Sequence, residues 1–173
     1  MPGTSAIEIE IGPGDGRFLY EAARARPEVL FVGLETRAGS VARARRRALP
    51  ENARVLHLDA RFVVESIVAD ESIDAYHVYF PDPWWKKRHA KRRLFTPAFA
   101  DAIARTLRRG GALYLVTDVE TRYREMLDAL ATTALRLEPW ERSPDDPAQS
   151  SYERKYRAQK RGLYGARFVR GQL

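Results

Sequence analysis

The sequence predicts an α/β fold: a doubly wound, mostly parallel sheet of seven strands with helices on both faces. Three observations predict it. Short apolar runs recur through the chain, and those in its first half are separated by stretches of helical period. A strand of alternating Ile and Glu, residues 6–11, runs directly into Gly12-Pro13-Gly14-Asp15-Gly16 and then into a helix. In such sheets the crossovers lie on both faces, and ligands bind outside the carboxyl ends of the strands. With 173 residues, no repeat and no linker, residues 1–173 read as one domain.

The elements follow in order. Ile7, Ile9 and Ile11 alternate with Glu8 and Glu10 in the first strand, and Glu8, odd inside a central strand, is expected to be exposed. Residues 17–25 form a helix with Phe18, Leu19 and Ala22 on one face. Residues 29–34 are a buried parallel strand, 38–49 an Arg-rich helix closed by Pro50, and 55–58 a third strand ending at Asp59. A short helix covers 61–68, and the fourth strand 73–80. Thr96 caps the next helix, Pro97 occupies its first turn and Gly110-Gly111 ends it. Residues 112–117 are the fifth strand, ending at Asp118, and 121–131 a helix. Two last strands, 135–140 and 164–169, are separated by a polar loop containing prolines.

Composition narrows the function. There is no cysteine, which excludes disulfides and thiolate metal sites, and His57, His77 and His89 lie at no helical spacing from one another, so no metal site is expected. No apolar run approaches the length of a membrane helix, no signal peptide opens the chain, and a cytoplasmic protein with no membrane partner is the expectation. The net charge of +7 suits a polyanionic partner, because the cations cluster at 86–93 and 154–170 rather than spreading evenly. Monomer and homodimer both remain open.

The strand ends read Glu10, Glu35, Asp59, Asp82 and Asp118. One such acid alone is as easily a helix cap, but five in succession point to a ligand. Gly12, Gly14 and Gly16 allow a tight turn and close backbone approach. Glu35, 19 residues past Gly16, is placed to accept both hydroxyls of a ribose. A dinucleotide fingerprint needs glycine where Arg17 stands. Glu10 just before the loop repels a pyrophosphate and suits a cationic or zwitterionic ligand, which favours S-adenosylmethionine over NAD. Asp59, followed by Ala60, is placed to meet the adenine edge.

The fourth strand runs into Pro81-Asp82-Pro83-Trp84-Trp85, then Lys86, Lys87, Arg88, His89, Ala90, Lys91, Arg92 and Arg93. Two prolines fix the backbone on both sides of Asp82. A tight turn with a solvated charge run is the plain alternative. Beside a methyl-donor site, an indole that stacks on a base and a basic run that grips phosphates fit the residues better.

Pro81-Asp82-Pro83-Trp84 with Lys86, Arg88-His89 and Lys91-Arg92-Arg93 resembles the signature of the bacterial tRNA (guanine-N7-)-methyltransferases. Similarity extends through Glu10-Ile11-Gly12, Gly33-Leu34-Glu35, Asp59-Ala60 and Thr117-Asp118. The resemblance implies a Rossmann-like methyltransferase fold and methylation of N7 of guanine 46 in the tRNA variable loop, with S-adenosylmethionine as donor and no DNA partner. It implies Glu10, Glu35, Asp59 and Asp82 at the cofactor, Asp82 also catalytic, and Lys86 and Asp118 at the substrate. Ser150-Ser151-Tyr152-Glu153 is similar to the family's Thr-x-Phe-Glu motif, which carries over Ser150 and Glu153 as substrate contacts. Family members generally have an extension before the Gly-rich loop; here either part of the tRNA grip is missing or the start is misassigned. A small-molecule methyltransferase leaves the cationic arm idle, and a non-catalytic RNA-binding module leaves the carboxylate set unexplained.

Overall fold

The computed structural model describes residues 6–81 and 94–172. Asp82, both tryptophans after it and the basic residues Lys86, Arg88, Lys91, Arg92 and Arg93 lie outside the described residues. The elements are β1 (Ala6–Ile11), α1 (Arg17–Ala25), β2 (Val29–Leu34), α2 (Ala38–Arg46), β3 (Ala53–Leu56), α3 (Ala60–Ser66) and β4 (Ile73–Tyr79). They continue with α4 (Pro97–Thr106), β5 (Leu107–Thr117), α5 (Glu120–Ala131), β6 (Leu135–Glu138), α6 (Ser151–Ala158) and β7 (Tyr164–Arg170). The sheet order is β3-β2-β1-β4-β5-β7-β6. β1 pairs in parallel with β2 and β4, and β7 runs antiparallel between β5 and β6.

Two apolar layers fix this arrangement. Ile9 and Ile11 point to the face covered by α3, α4 and α5, where Val64, Phe99, Ile103, Met126 and Leu130 close the core. Phe31 and Val116 pack on the other face against Phe18, Leu19 and Ala22 of α1 and Val41 and Ala44 of α2. Strands buried on both faces lose the polar–apolar alternation, which is why β2 and β4 read as continuous apolar runs.

Glu8 corrects the expectation of exposure: it is 7% exposed. Both its oxygens accept from the Arg26 guanidinium, at 2.6 and 2.8 Å, and Oε2 also meets His77 Nε2 at 2.8 Å. Burial raises the Glu8 carboxyl, but His77 and Arg26 outweigh it and bring the pKa down to about 2. Burial lowers the His77 pKa against the pull of Glu8, so the ring is neutral at pH 7. Nε2–H then donates to Glu8, and Nδ1 accepts from the Tyr79 hydroxyl at 2.9 Å. A charge inside a central strand is thus held by a partner just past α1 and one from β4.

Several boundaries also differ: α2 ends at Arg46, β3 runs two residues earlier than expected, as Ala53–Leu56, and β6 ends at Glu138. α4 ends at Thr106, not at Gly110, because Leu107 already pairs with Ile73 and begins β5. Thr106 is sealed in the core, its hydroxyl 2.8 Å from that of Tyr76. The polar stretch between the last two strands contains α6.

Candidate active site

Glu10, Gly12, Gly14, Glu35, Asp59, Ala60, Asp118 and Ser150 come together around the carboxyl ends of β1, β2, β4 and β5, and Pro81 marks where the chain leads on to Asp82. The sequence folds this way because each parallel strand must turn back into a helix, leaving its last residues at one rim. Three adjoining clefts of about 400, 210 and 370 Å³ share Gly12, Arg37 and Tyr79. They form one trilobed depression.

The largest lobe is lined by Leu34, Glu35, Asp59, Ala60 and Leu94. Glu35 is 3% exposed; its Oε1 accepts from the Arg37 amide at 2.9 Å and its Oε2 from the Gly14 amide at 3.3 Å. It therefore ties the end of β2 to the Gly-rich loop. Asp59 is exposed and caps α3 by accepting from the Arg61 amide at 2.8 Å.

Gly12 and Gly14 have φ of 72° and 59°, and a Cβ built at either meets nothing within 4 Å among the described residues. Both present bare backbone to open space. Gly16 differs: a Cβ there would lie 2.8 Å from the Ala44 Cβ. Its φ of 74° and the packing of α2 against the start of α1 both require glycine there.

The smallest lobe holds Glu10, Pro13, Ser150 and Ser151. Glu10 is 2% exposed, and its Oε2 has no hydrogen-bond partner among the described residues. Burial, then the charges of Asp15 and Glu35, raise its pKa well above the usual carboxylate range, against the pull of Arg142. A buried carboxyl that lacks a partner and faces a cavity calls for a cationic donor.

The third lobe is aromatic and ends in an ion pair. Phe80, Tyr152 and Tyr156 form its wall, with Asp118 and Arg161 beyond them. Phe80 meets Tyr156 edge-on, ring centres 5.3 Å apart at 68°. Phe80 itself has a φ of 51°, outside the ordinary range for such a side chain.

α6 supports two of these lobes. Ser150 Oγ accepts from the Glu153 amide at 3.1 Å and so caps the helix. Glu153 is 0% exposed, and its carboxylate accepts from Arg142 at 3.2 Å and Arg157 at 3.0 Å. It lines none of the three lobes. Arg142 reaches further, to Asp146 at 2.7 Å, to the Ala148 carbonyl, and over the Tyr79 ring at 5.2 Å. Sequence reading missed Arg142, Tyr156 and Arg161 as parts of the site and took the segment that holds α6 for a polar loop; the Ser-x-x-Glu spacing of Ser150 and Glu153 is the signal that could have marked the helix start.

Residues 4–166 match the family model described as "Putative methyltransferase". The chain is 39% identical over 171 residues to the tRNA (guanine-N(7)-)-methyltransferase of Myxococcus xanthus, covering 95% of this chain and 83% of that protein. It is 38% identical over 167 residues to the protein of the same name from Thermus thermophilus, of which it spans 54%. Among solved structures, a 16S rRNA methyltransferase, KamB, superposes with a TM-score of 0.69 at 14% identity, over 96% of this chain and 88% of that one. A SAM-dependent O-methyltransferase from Thermotoga maritima gives 0.67 at 18% identity, over 98% of this chain and 60% of that one. Identities this low show the Rossmann-like methyltransferase fold alone.

Proposed function

The chain belongs to the tRNA (guanine-N(7)-)-methyltransferase family, and from that membership we propose that it methylates N7 of a guanine in tRNA, guanine 46 of the variable loop, with S-adenosylmethionine as donor. The observation that carries the cofactor assignment is the buried Glu10, whose Oε2 has no hydrogen-bond partner among the described residues, beside the open backbone of Gly12 and Gly14. Glu10 would take the ammonium, Glu35 the ribose hydroxyls, and Asp59 with Ala60 the adenine. Gly16 serves by packing. Residues 1–173 act as one methyltransferase domain, working in the cytoplasm where tRNA resides.

When bound, S-adenosylmethionine supplies a methyl carbon already activated by a sulfonium. Guanine N7 bears a lone pair and no proton, so no residue of this chain need act as a general base. N7 bonds to the methyl carbon, the electron pair of the broken bond stays on sulfur, and the positive charge passes to the guanine ring. The chain contributes in-line positioning and negative charge where the ring becomes cationic. Asp82 is assigned that charge, with Asp118 as a further acceptor for the guanine N1–H and amino donors. Lys86, Arg88, Lys91, Arg92 and Arg93 grip the phosphates. Ser150 borders the site, and Glu153 fixes α6 and Arg142 in place.

Incubation with labelled S-adenosylmethionine and bulk unmodified tRNA, followed by nucleoside digestion, should yield labelled 7-methylguanosine. Label in any other nucleoside, or none in tRNA, rejects the reading. Asp82→Ala should lower kcat by roughly 10²-fold. Unchanged kcat with weaker cofactor binding would remove Asp82 from catalysis and leave it a cofactor contact.

A further inference from the structure

The aromatic lobe already seats a planar cation. Arg161, just past α6, donates from Nη1 to Asp118 Oδ2 at 2.5 Å, and its guanidinium carbon lies 4.5 Å from the centre of the Tyr156 ring. The Asp118 side chain is only 15% exposed, so this is a sheltered pair, whereas that of Arg161 is 50% exposed and can swing outward. Tyr156 is steadied by Phe80 edge-on and by Tyr152, a helical turn away, at 6.0 Å. Burial and the Asp118 charge raise the Tyr156 phenol, which keeps the ring neutral.

The chemistry of this seat matches the acceptor base. A guanidinium is a flat N–C–N unit with donors along one edge. The N1–H and exocyclic amino group of guanine are the same unit with the same donors. What neutral guanine lacks is the positive charge, and methylation at N7 supplies it. A carboxylate edge-on and a tyrosine face below therefore hold the ring more tightly as it becomes cationic than they do beforehand.

We infer that Asp118 and Tyr156 form the guanine subsite, that Arg161 is its resident stand-in, displaced by the incoming base, and that Tyr156 stabilises the charge developing on the ring. The inference rests on the guanine-N7 reading above. It makes Tyr156 a catalytic residue through its π-face, and Arg161 a gate that admits only a base able to take over its contact with Asp118. Adenine, with no donor at N1, cannot.

Two measurements test it. Nucleoside titrations followed by protein fluorescence, in mildly acidic buffer where 7-methylguanosine keeps its N1 proton, should show tighter binding of 7-methylguanosine than of guanosine. Arg161→Met, which keeps the aliphatic stem, should tighten both by about 3- to 10-fold, and Tyr156→Leu should abolish the preference. On unmodified tRNA, Tyr156→Leu should lower kcat by roughly 10-fold or more with little change in KM or in cofactor affinity, while Tyr156→Phe retains activity. Equal binding of the two nucleosides, weaker binding by Arg161→Met, or an unchanged kcat for Tyr156→Leu each overturns the subsite. Should neither nucleoside bind measurably, the kcat of Tyr156→Leu decides alone. An active wild type with an equally active Tyr156→Leu defeats this inference only; a wild type that forms no 7-methylguanosine defeats the functional reading beneath it.

Discussion

A carboxyl group sealed from water, with one oxygen lacking a partner, works against the stability of the protein while favouring a cationic ligand, and Glu10 is in that position among the described residues. Its folded-state pKa lies above the ordinary 4.5, so the folded chain keeps this proton to higher pH than the unfolded chain does. The associated stability is complete below about pH 4.5 and is lost as pH rises through the folded-state value. Glu10→Gln removes that loss. Its melting temperature should match the wild type below pH 4.5 and exceed it at pH 7. S-adenosylmethionine affinity should fall at the same time. At a pH below the raised pKa of Glu10, calorimetry in buffers of different ionisation enthalpy should show the wild type releasing a proton on binding that the variant does not release. Equal melting curves at pH 7 would mean that Glu10 finds a partner in solution. The residue was legible from sequence as an acid ahead of a Gly-rich loop, but its isolation was not, because burial depends on which helices cover the sheet. Glu8, two residues earlier in the same alternation, has the opposite fate only because Arg26 and His77 reach it.

Among the elements, α6 has the most consequence for its size. Its sequence, Ser-Tyr-Glu-Arg-Lys-Tyr-Arg-Ala, lacks an apolar stripe, so periodicity could not reveal it. What fixes it is polar: the Ser150 cap at one end and a buried carboxylate clamped by two arginines. Ser150→Ala should cost about 1 kcal/mol, the worth of a cap. Glu153→Ala should cost about 1.5–3 kcal/mol, because Arg142 and Arg157 lose their shared buried carboxylate while Arg142 keeps Asp146 and the Ala148 carbonyl. Urea unfolding measures both, and a smaller loss for Glu153→Ala than for Ser150→Ala would mean that the clamp contributes no net stability. The helices that sequence did reveal, such as α1 with Phe18, Leu19 and Ala22 inward, carry their core contacts in their own spacing. β5 began earlier than expected for a related reason. Its first residue, Leu107, pairs with Ile73 of β4, and the register shifts before pairing resumes at Ala112.

At the scale of the whole molecule, the +7 charge is read against a polyanion. Neutralising two of Lys86, Arg88, Lys91, Arg92 and Arg93 should weaken tRNA binding and flatten its logarithmic salt dependence by about 0.7–0.9 for each phosphate left without its cation. Cofactor affinity should stay as it was. An unaltered slope would take the arm off the RNA backbone. The doubly wound plan, the strand-end acids Glu10, Glu35, Asp59 and Asp118, and the order of the first nine elements were all legible, since local period and turn residues encode them. The antiparallel placement of the last strand was not, because nothing in residues 164–170 says which neighbours they will choose.

That last strand has a consequence for how the protein is made. β6 leaves the ribosome before β7, and among the described residues its only partner in the sheet is β7, which also covers the far edge of β5. During synthesis β5 therefore waits with an open edge while β6 waits with no neighbour in the sheet, until residue 170 is out. Completion of the sheet waits on β7, and a ribosome that stalls before β7 emerges would hold an exposed, pairing-competent strand in the company of other nascent chains.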